Sequence, residues 1–132
     1  MKKIAILGAS GSIGQSCIEV IRKHPSSFSL VAMSVYTQID LLPSLLNEFQ
    51  DLQIVAVKDL MSIPSYILKY PHIKFVEGDK GLVEVATSGC DLVVNALVGF
   101  VGLIPTIQAI LNHKEIALAN KETLVAGGEV VM

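Results

Sequence analysis

Three glycines near the start of the chain have the spacing needed to hold a phosphate. Gly8, Gly11 and Gly14 follow the pattern G-x-x-G-x-x-G rather than the commoner G-x-G-x-x-G. The first can turn the chain off a strand, the second can let a phosphate approach the backbone, and the third can let a helix pack closely. The pattern predicts a site for a dinucleotide diphosphate. A plain strand-to-helix turn that needs flexible residues is the alternative.

The residues around these glycines supply the strand and helix that such a site requires. The apolar run from Ile4 to Leu7 predicts a strand, and the stretch from Ser12 to Gln15 matches a capping box, which predicts a helix start at Ser12. Unpaired N–H groups of the first helical turn would then face the diphosphate, aided by the helix dipole. The hydroxyls of Ser10 and Ser12 could bind phosphate oxygens.

The end of the second predicted strand bears on which dinucleotide binds. An NAD site usually has Asp or Glu there to hold the ribose hydroxyls, and an NADP site favours Arg or Lys. The segment from Ser34 to Gln38 reads SVYTQ and contains neither kind of residue. Thr37 and Gln38 could donate uncharged hydrogen bonds to a 2′-phosphate. The missing acid is thus the sole feature of this segment that favours NADP.

A second polar group, Asn120, Lys121 and Glu122, follows the sixth predicted strand. Asn120 is a good N-cap for a further helix, and the two charges could simply be surface residues of its first turn. The alternative is functional, because a nicotinamide and its substrate would meet at this strand end. A lysine there can hold a phosphate or polarise a carbonyl oxygen.

The elements that must position these residues alternate between short apolar runs and stretches with helical periodicity. Strands are predicted at residues 4–7, 30–36, 53–57, 73–76, 92–96 and 115–119, and helices near 12–24, 41–49, 62–69, 82–86 and 103–111 and from about Lys121. The first helix is predicted to bury Ile13, Cys17, Val20 and Ile21. Such alternation predicts an α/β fold, a Rossmann-like doubly wound, mainly parallel sheet with helices on both faces. Ligands on such sheets bind at the carboxyl ends of the strands.

Composition agrees with a single domain of this class. Of 132 residues, 52% are hydrophobic and 17% charged, which suits a sheet buried on both faces, and the formal charge of −2 offers no surface for nucleic acid. Cys17 and Cys90 lack metal-ligand spacing and are interpreted as reduced thiols. No secretory signal or membrane-spanning stretch is found, so a cytoplasmic location is expected. The three histidines are expected at the surface: His24, His72 and His113.

Three segments together resemble one enzyme family. GASGSIG near the start, VNALVGFVGLIPT in the middle and IALANKETLVAGG near the end are similar to 1-deoxy-D-xylulose 5-phosphate reductoisomerase. The resemblance implies that a divalent metal, Mg or Mn, helps rearrange a sugar phosphate, which NADPH reduces to 2-C-methyl-D-erythritol 4-phosphate. It also implies a role for each matching residue. Cofactor phosphates would contact Ser10, Gly11, Ser12 and Ile13; NADPH would also contact Asn120 and Glu122; substrate would contact Lys121.

The chain departs from the family in two respects. Tyr36, Thr37 and Gln38 stand where the family usually has Gly, a basic residue and Asn. Members of the family are also much longer, and their metal-binding carboxylates and C-terminal domain lie beyond the segment that this chain matches. Residues 1–132 are therefore expected to be the NADPH-binding domain, with no catalytic or metal-ligating residue and no activity alone. The full-length enzyme is expected to be a homodimer acting on a small sugar phosphate.

Two other functions stay open at this point. A dehydrogenase of the aspartate-semialdehyde type also uses a GA[ST]GxxG loop, although ALANKE is not its signature. A non-catalytic nucleotide-binding module would bind the cofactor without turnover even in its longest natural chain.

Overall fold

A computed structural model describes residues 1–97 and 103–118 of the chain. The predictions for the helix after Asn120 and for residues 98–102 lie outside these described residues. The strands are β1 (Lys2–Leu7), β2 (Phe28–Val35), β3 (Ile54–Val57), β4 (Lys74–Glu77), β5 (Leu92–Asn95) and β6 (Glu115–Leu118). The helices are α1 (Ser12–Lys23), α2 (Leu42–Glu48), α3 (Pro64–Lys69), α4 (Gly78–Ala86) and α5 (Leu103–Leu111).

The six described strands form one parallel sheet in the order β4-β3-β2-β1-β5-β6. Because β1 is central, both of its faces are buried, and alternate side chains pack on opposite sides. Ile4 and Ile6 join a core cluster that includes residues of α1 and α2, whereas Ala5 and Leu7 join one that includes residues of α4 and α5. The predicted doubly wound fold with helices on both faces is confirmed.

The strand order creates a crevice between β1 and β5. These strands pair directly, with Leu7 opposite Asn95, yet α1 packs on one face of the sheet and α5 on the other. The two chain segments therefore separate at the carboxyl edge. In open α/β sheets this switch point is where ligands bind.

The structure corrects several predicted element boundaries and faces. In α1 the buried residues are Gly14, Ile18 and Ile21, while Ile13 and Val20 are 50% and 49% exposed. The predicted apolar face was therefore wrong in part, because the helix begins at the rim of the crevice and packs through Gly14. Helix α4 begins at Gly78, four residues before the predicted start. The unpredicted 3₁₀ turns, Ile39–Leu41 and Leu60–Ser62, precede α2 and α3.

Among the described residues, no helix combines the length and apolarity needed to cross a bilayer.

Candidate dinucleotide-binding site

Gly8 turns the chain away from β1 at the mouth of the crevice. Its φ of +86° lies in the left-handed region, and an added Cβ would lie 3.1 Å from the Leu97 side chain and 3.2 Å from the Ala96 carbonyl oxygen. Strand β2 holds the turn, since the Gly8 N–H donates to Ser34 Oγ at 2.7 Å and the Ala9 N–H donates to the Ser34 carbonyl at 2.9 Å. Backbone conformation and close packing both require glycine at position 8.

Gly14 lets α1 pack directly against this turn. A Cβ at position 14 would lie 2.1 Å from the Gly8 carbonyl oxygen and 2.7 Å from Ala9 Cα. Both neighbours are backbone atoms, so the overlap could be relieved only by moving the helix away from the turn. Gly14 therefore has the close-packing role that the glycine spacing predicts.

Gly11 differs from the other two glycines because the part of the chain that the structure describes does not require it. Its φ of −75° and ψ of 170° suit any residue. Within residues 1–97 and 103–118, an added Cβ would contact only the Gly8 carbonyl oxygen, at an ordinary distance of 3.7 Å. Gly11 is exposed, so its missing side chain leaves room on the outer side of the loop. Close approach of a ligand is the remaining physical reason for glycine here.

Helix α1 begins without a side-chain cap. Gly11, rather than Ser12, is the N-cap residue, and the Gln15 side chain donates to the Ser10 carbonyl oxygen at 2.8 Å. The predicted capping box is therefore wrong, although the helix does begin at Ser12. The first-turn N–H groups of Ser12 and Ile13 have no partner within the helix, and both residues are exposed. This helix start can accept an anion.

The end of β2 lies beside the glycine turn. Ser10 is buried, and its hydroxyl lies 3.3 Å from the Thr37 hydroxyl, so two predicted site residues are brought together. Gln38 is exposed in a left-handed conformation with a φ of 54°. Thr37 and Gln38 therefore offer polar groups at the edge where a ribose would lie. The structure describes all residues from Ser34 to Gln38, and none of them is acidic.

Tyr36 ties the end of β2 to the start of α4. Its hydroxyl donates to the Gly78 carbonyl oxygen at 2.5 Å. Burial raises the pKa of the Tyr36 phenol, and the nearby charge of Asp79 raises it further. The phenol therefore stays protonated and keeps donating at neutral pH. Local sequence patterns do not predict this contact, because Tyr36 and Gly78 lie far apart in the chain.

Asn95 fixes the other wall of the crevice. It is fully buried at the end of β5, where its Nδ2 donates to Thr106 Oγ1 at 2.9 Å and its Oδ1 accepts the Leu97 N–H at 3.1 Å. These bonds hold the turn after β5 and attach it to α5. The sequence patterns did not predict this role for Asn95. A buried-strand pattern that ends in an amide side chain was the available signal.

The other predicted site residues, Asn120, Lys121 and Glu122, lie outside the described residues, so their roles stay predictions. Within residues 1–97 and 103–118, no three His, Cys, Asp or Glu side chains cluster closely enough to hold a metal ion. All three histidines are exposed. The two cysteines are free thiols, and burial raises the pKa of each.

Comparison with known proteins identifies relatives over nearly the whole chain. Residues 4–128 match the family model described as 1-deoxy-D-xylulose 5-phosphate reductoisomerase. A protein named 1-deoxy-D-xylulose 5-phosphate reductoisomerase 2 from Bacillus thuringiensis subsp. konkukian is 47% identical over 100% of this chain and 35% of its own length. The reductoisomerase of Geobacillus sp. strain WCH70 is 45% identical over 99% of this chain and 35% of its own length. The chain thus spans about a third of the length of the curated relatives it matches.

Solved structures of similar proteins share the fold. A crystal structure of DOX-P reductoisomerase in complex with NADPH, fosmidomycin and magnesium matches with 35% identity and a TM-score of 0.86, covering 95% of this chain and 31% of that chain. The Zymomonas mobilis 1-deoxy-D-xylulose 5-phosphate reductoisomerase in complex with NADPH matches with 28% identity and a TM-score of 0.83, covering 98% of this chain and 35% of that chain.

Proposed function

The chain belongs to the 1-deoxy-D-xylulose 5-phosphate reductoisomerase family, and on that premise we propose that residues 1–132 form its NADPH-binding domain. The start of α1 carries the proposal: it has no side-chain cap from its N-cap residue, Gly11, and packing among the described residues does not require glycine there. A diphosphate explains both features, since it accepts N–H donors and needs close backbone approach. Similar structures in complex with NADPH support the same ligand.

The residues at the glycine turn fit a diphosphate. The N–H groups of Ser12 and Ile13 point from the positive end of a 12-residue helix. The Ser10 hydroxyl borders the turn, and Gly11 leaves the outer side of the backbone open. We assign the diphosphate to these four residues: Ser10, Gly11, Ser12 and Ile13.

The remaining proposed contacts with NADPH are assigned by their position along the crevice. Thr37 and Gln38 would face the adenosine ribose and its 2′-phosphate, because they follow β2 and Thr37 lies beside Ser10. Asn120 and Glu122 would contact the nicotinamide half, and Lys121 would contact the substrate. When bound, NADPH supplies the hydride that reduces the rearranged sugar phosphate. This chain's part is to orient the cofactor, since Asn95 and Gly8 fix the two walls between which it would lie.

The whole enzyme would convert 1-deoxy-D-xylulose 5-phosphate to 2-C-methyl-D-erythritol 4-phosphate. Its divalent metal, Mg or Mn, would be held by carboxylates in the part of the relatives' length that this chain does not span. We place the enzyme in the cytoplasm as a homodimer, with a small sugar phosphate as its substrate and no nucleic-acid partner. The family match favours this reaction over the aspartate-semialdehyde-type alternative.

Cofactor titration tests the proposal. The chain contains no tryptophan, so NADPH fluorescence can be followed without interference from that residue, alongside calorimetry. We expect saturable binding of NADPH and weaker binding of NADH. Failure of both dinucleotides to bind the folded chain would refute the proposed function.

A turnover assay distinguishes a domain of an enzyme from a non-catalytic nucleotide-binding module. We expect the 132-residue chain to bind NADPH without oxidising it when 1-deoxy-D-xylulose 5-phosphate and Mg²⁺ are added. A chain of the relatives' full length should oxidise it steadily. Binding without turnover in that longer chain would favour the non-catalytic module instead.

A further inference from the structure

The proposed site lacks a positive charge where NADPH differs from NADH. A 2′-phosphate carries a charge of about −1.5 to −2 at neutral pH, like other phosphate monoesters. NADP sites usually place a basic residue beside it. Thr37 and Gln38 provide only neutral groups at the end of β2. A cation from a neighbouring element would complete the site.

Lys58 is placed to supply that cation by the register of the sheet. Strand β3 lies beside β2, and their final residues, Val35 and Val57, are paired. Tyr36 and Lys58 are therefore the first residues beyond this pair at the same carboxyl edge. Adjacent strands lie about 5 Å apart, and a lysine carries its ammonium on a flexible four-carbon stem. The ammonium of Lys58 can thus reach the space above Thr37.

The Lys58 ammonium is available although carboxylates lie near it. Lys58 is exposed and shares a surface depression with three acidic residues. Two of these are engaged by the backbone of the Leu60–Ser62 turn: Asp59 Oδ1 accepts the Met61 N–H at 2.9 Å, and Glu77 Oε1 accepts the Leu60 N–H at 2.9 Å. The third is Asp79. No ion pair to Lys58 is present in the described part of the chain.

The same depression contains a second lysine, Lys80, near the start of α4. It follows β4, which is separated from β2 by the whole of β3. The strand before Lys80 is therefore one place further from β2 than the strand before Lys58, although the hydrogen bond from Tyr36 to Gly78 also brings the start of α4 to the end of β2. Position in the sheet favours Lys58, and Lys80 provides a control with the same charge and similar exposure.

We infer that Lys58 binds the 2′-phosphate and makes the domain prefer NADPH to NADH. This inference rests on the proposed function, because it assumes that the ribose lies at the end of β2. The selectivity would come from a residue on the next strand rather than from the segment directly after β2.

The test is a calorimetric titration of the 132-residue chain with NADPH and, separately, with NADH. In Lys58→Ala we expect NADPH affinity to fall about tenfold, the effect of losing one charge-assisted hydrogen bond at an exposed site, while NADH affinity stays within about twofold. Lys58→Arg should retain most of the NADPH affinity. Raising the salt concentration should weaken NADPH binding more in the wild type than in Lys58→Ala, because screening acts on the charge pair.

Lys80→Ala is the matched control and should leave both affinities unchanged. Unchanged NADPH affinity in Lys58→Ala, or equal losses for NADPH and NADH, would overturn the inference while leaving the proposed function standing. A selective NADPH loss in Lys80→Ala alone would assign the phosphate to Lys80 and overturn it too. Failure of the wild type to bind either dinucleotide would refute the proposed function itself.

Discussion

Gly11 and Gly14 should respond oppositely to the same substitution, because one is needed for a ligand and the other for the fold. In Gly14→Ala the new Cβ would lie 2.1 Å from a backbone oxygen, far inside any ordinary contact. The helix must shift, and overpacking of this kind costs about 1–3 kcal/mol. In a domain of this size each kcal/mol lowers Tm by roughly 4 °C.

Gly11→Ala should change the stability of the free chain by less than about 1 kcal/mol. The new Cβ would lie 3.7 Å from the Gly8 carbonyl oxygen, its nearest neighbour among the described residues, and the backbone already has φ −75° and ψ 170°. Replacing glycine in such a conformation restricts the unfolded chain and adds about 0.4–1 kcal/mol of stability, which offsets the poorer preference of alanine for the N-cap position. The Cβ would nevertheless occupy the open side of the loop. We therefore expect NADPH affinity to fall by about tenfold or more as phosphate contacts are lost.

Thermal unfolding by circular dichroism, without ligand, and calorimetric NADPH titration together check both variants. Gly89→Ala is a suitable control, because that glycine is exposed before β5, at the amino ends of the strands, and among the described residues its added Cβ would meet only the Gln53 side chain at 4.0 Å. It should leave NADPH affinity unchanged and should not lower Tm. Wild-type NADPH affinity in Gly11→Ala, or wild-type Tm in Gly14→Ala, would refute the reasoning.

Three further predictions concern the rest of the domain. Thr37→Lys should raise NADPH affinity several-fold without changing NADH affinity, and calorimetry showing no gain would contradict the placement of the 2′-phosphate. Asn95→Ala should lower the free energy of unfolding by about 1–3 kcal/mol, measured in urea, because buried hydrogen bonds are lost; a smaller loss than in the exposed-amide control Asn112→Ala would contradict the role given to Asn95. The hydrogen bond from Arg22 lowers the pKa of Glu48 below its ordinary 4.5. This exposed pair therefore stabilises the fold fully above pH 4.5, and the stabilisation is lost as the pH falls through the lowered pKa of Glu48. Glu48→Gln should therefore lower stability by less than about 1 kcal/mol at pH 7 and should have no effect at strongly acidic pH, as parallel urea titrations can check.

Local sequence patterns were sufficient for the fold and for the glycine turn. Strands such as Ile4–Leu7 are continuous apolar runs, which is what burial on both faces of a parallel sheet demands. The glycine spacing predicted the separate roles now seen for Gly8 and Gly14, because the positive φ belongs to Gly8 itself and the close contacts of Gly14 are with Gly8 and Ala9. Each of these features can therefore be predicted from the residues of the segment that shows it.

Other features depend on contacts that local patterns do not contain. The capping box failed because the Gln15 amide bonds to the Ser10 carbonyl, a choice set by the shape of the turn. The buried face of α1 was misjudged because Gly14, which counts little in a hydrophobic pattern, packs most closely. The proximity of Lys58 to the end of β2 requires knowledge of strand order and register.

The central position of β1 also determines when the ligand crevice can form during synthesis. Ile4 pairs with Leu30 on one side and with Leu92 on the other. A nascent chain can therefore assemble β1 to β4 while one edge of β1 still lacks its partner, an edge open to mispairing. Leu97, whose side chain lies against Gly8, is synthesised later still. During synthesis a dinucleotide therefore has no crevice to bind until β5 has been made, because the crevice lies between β1 and β5.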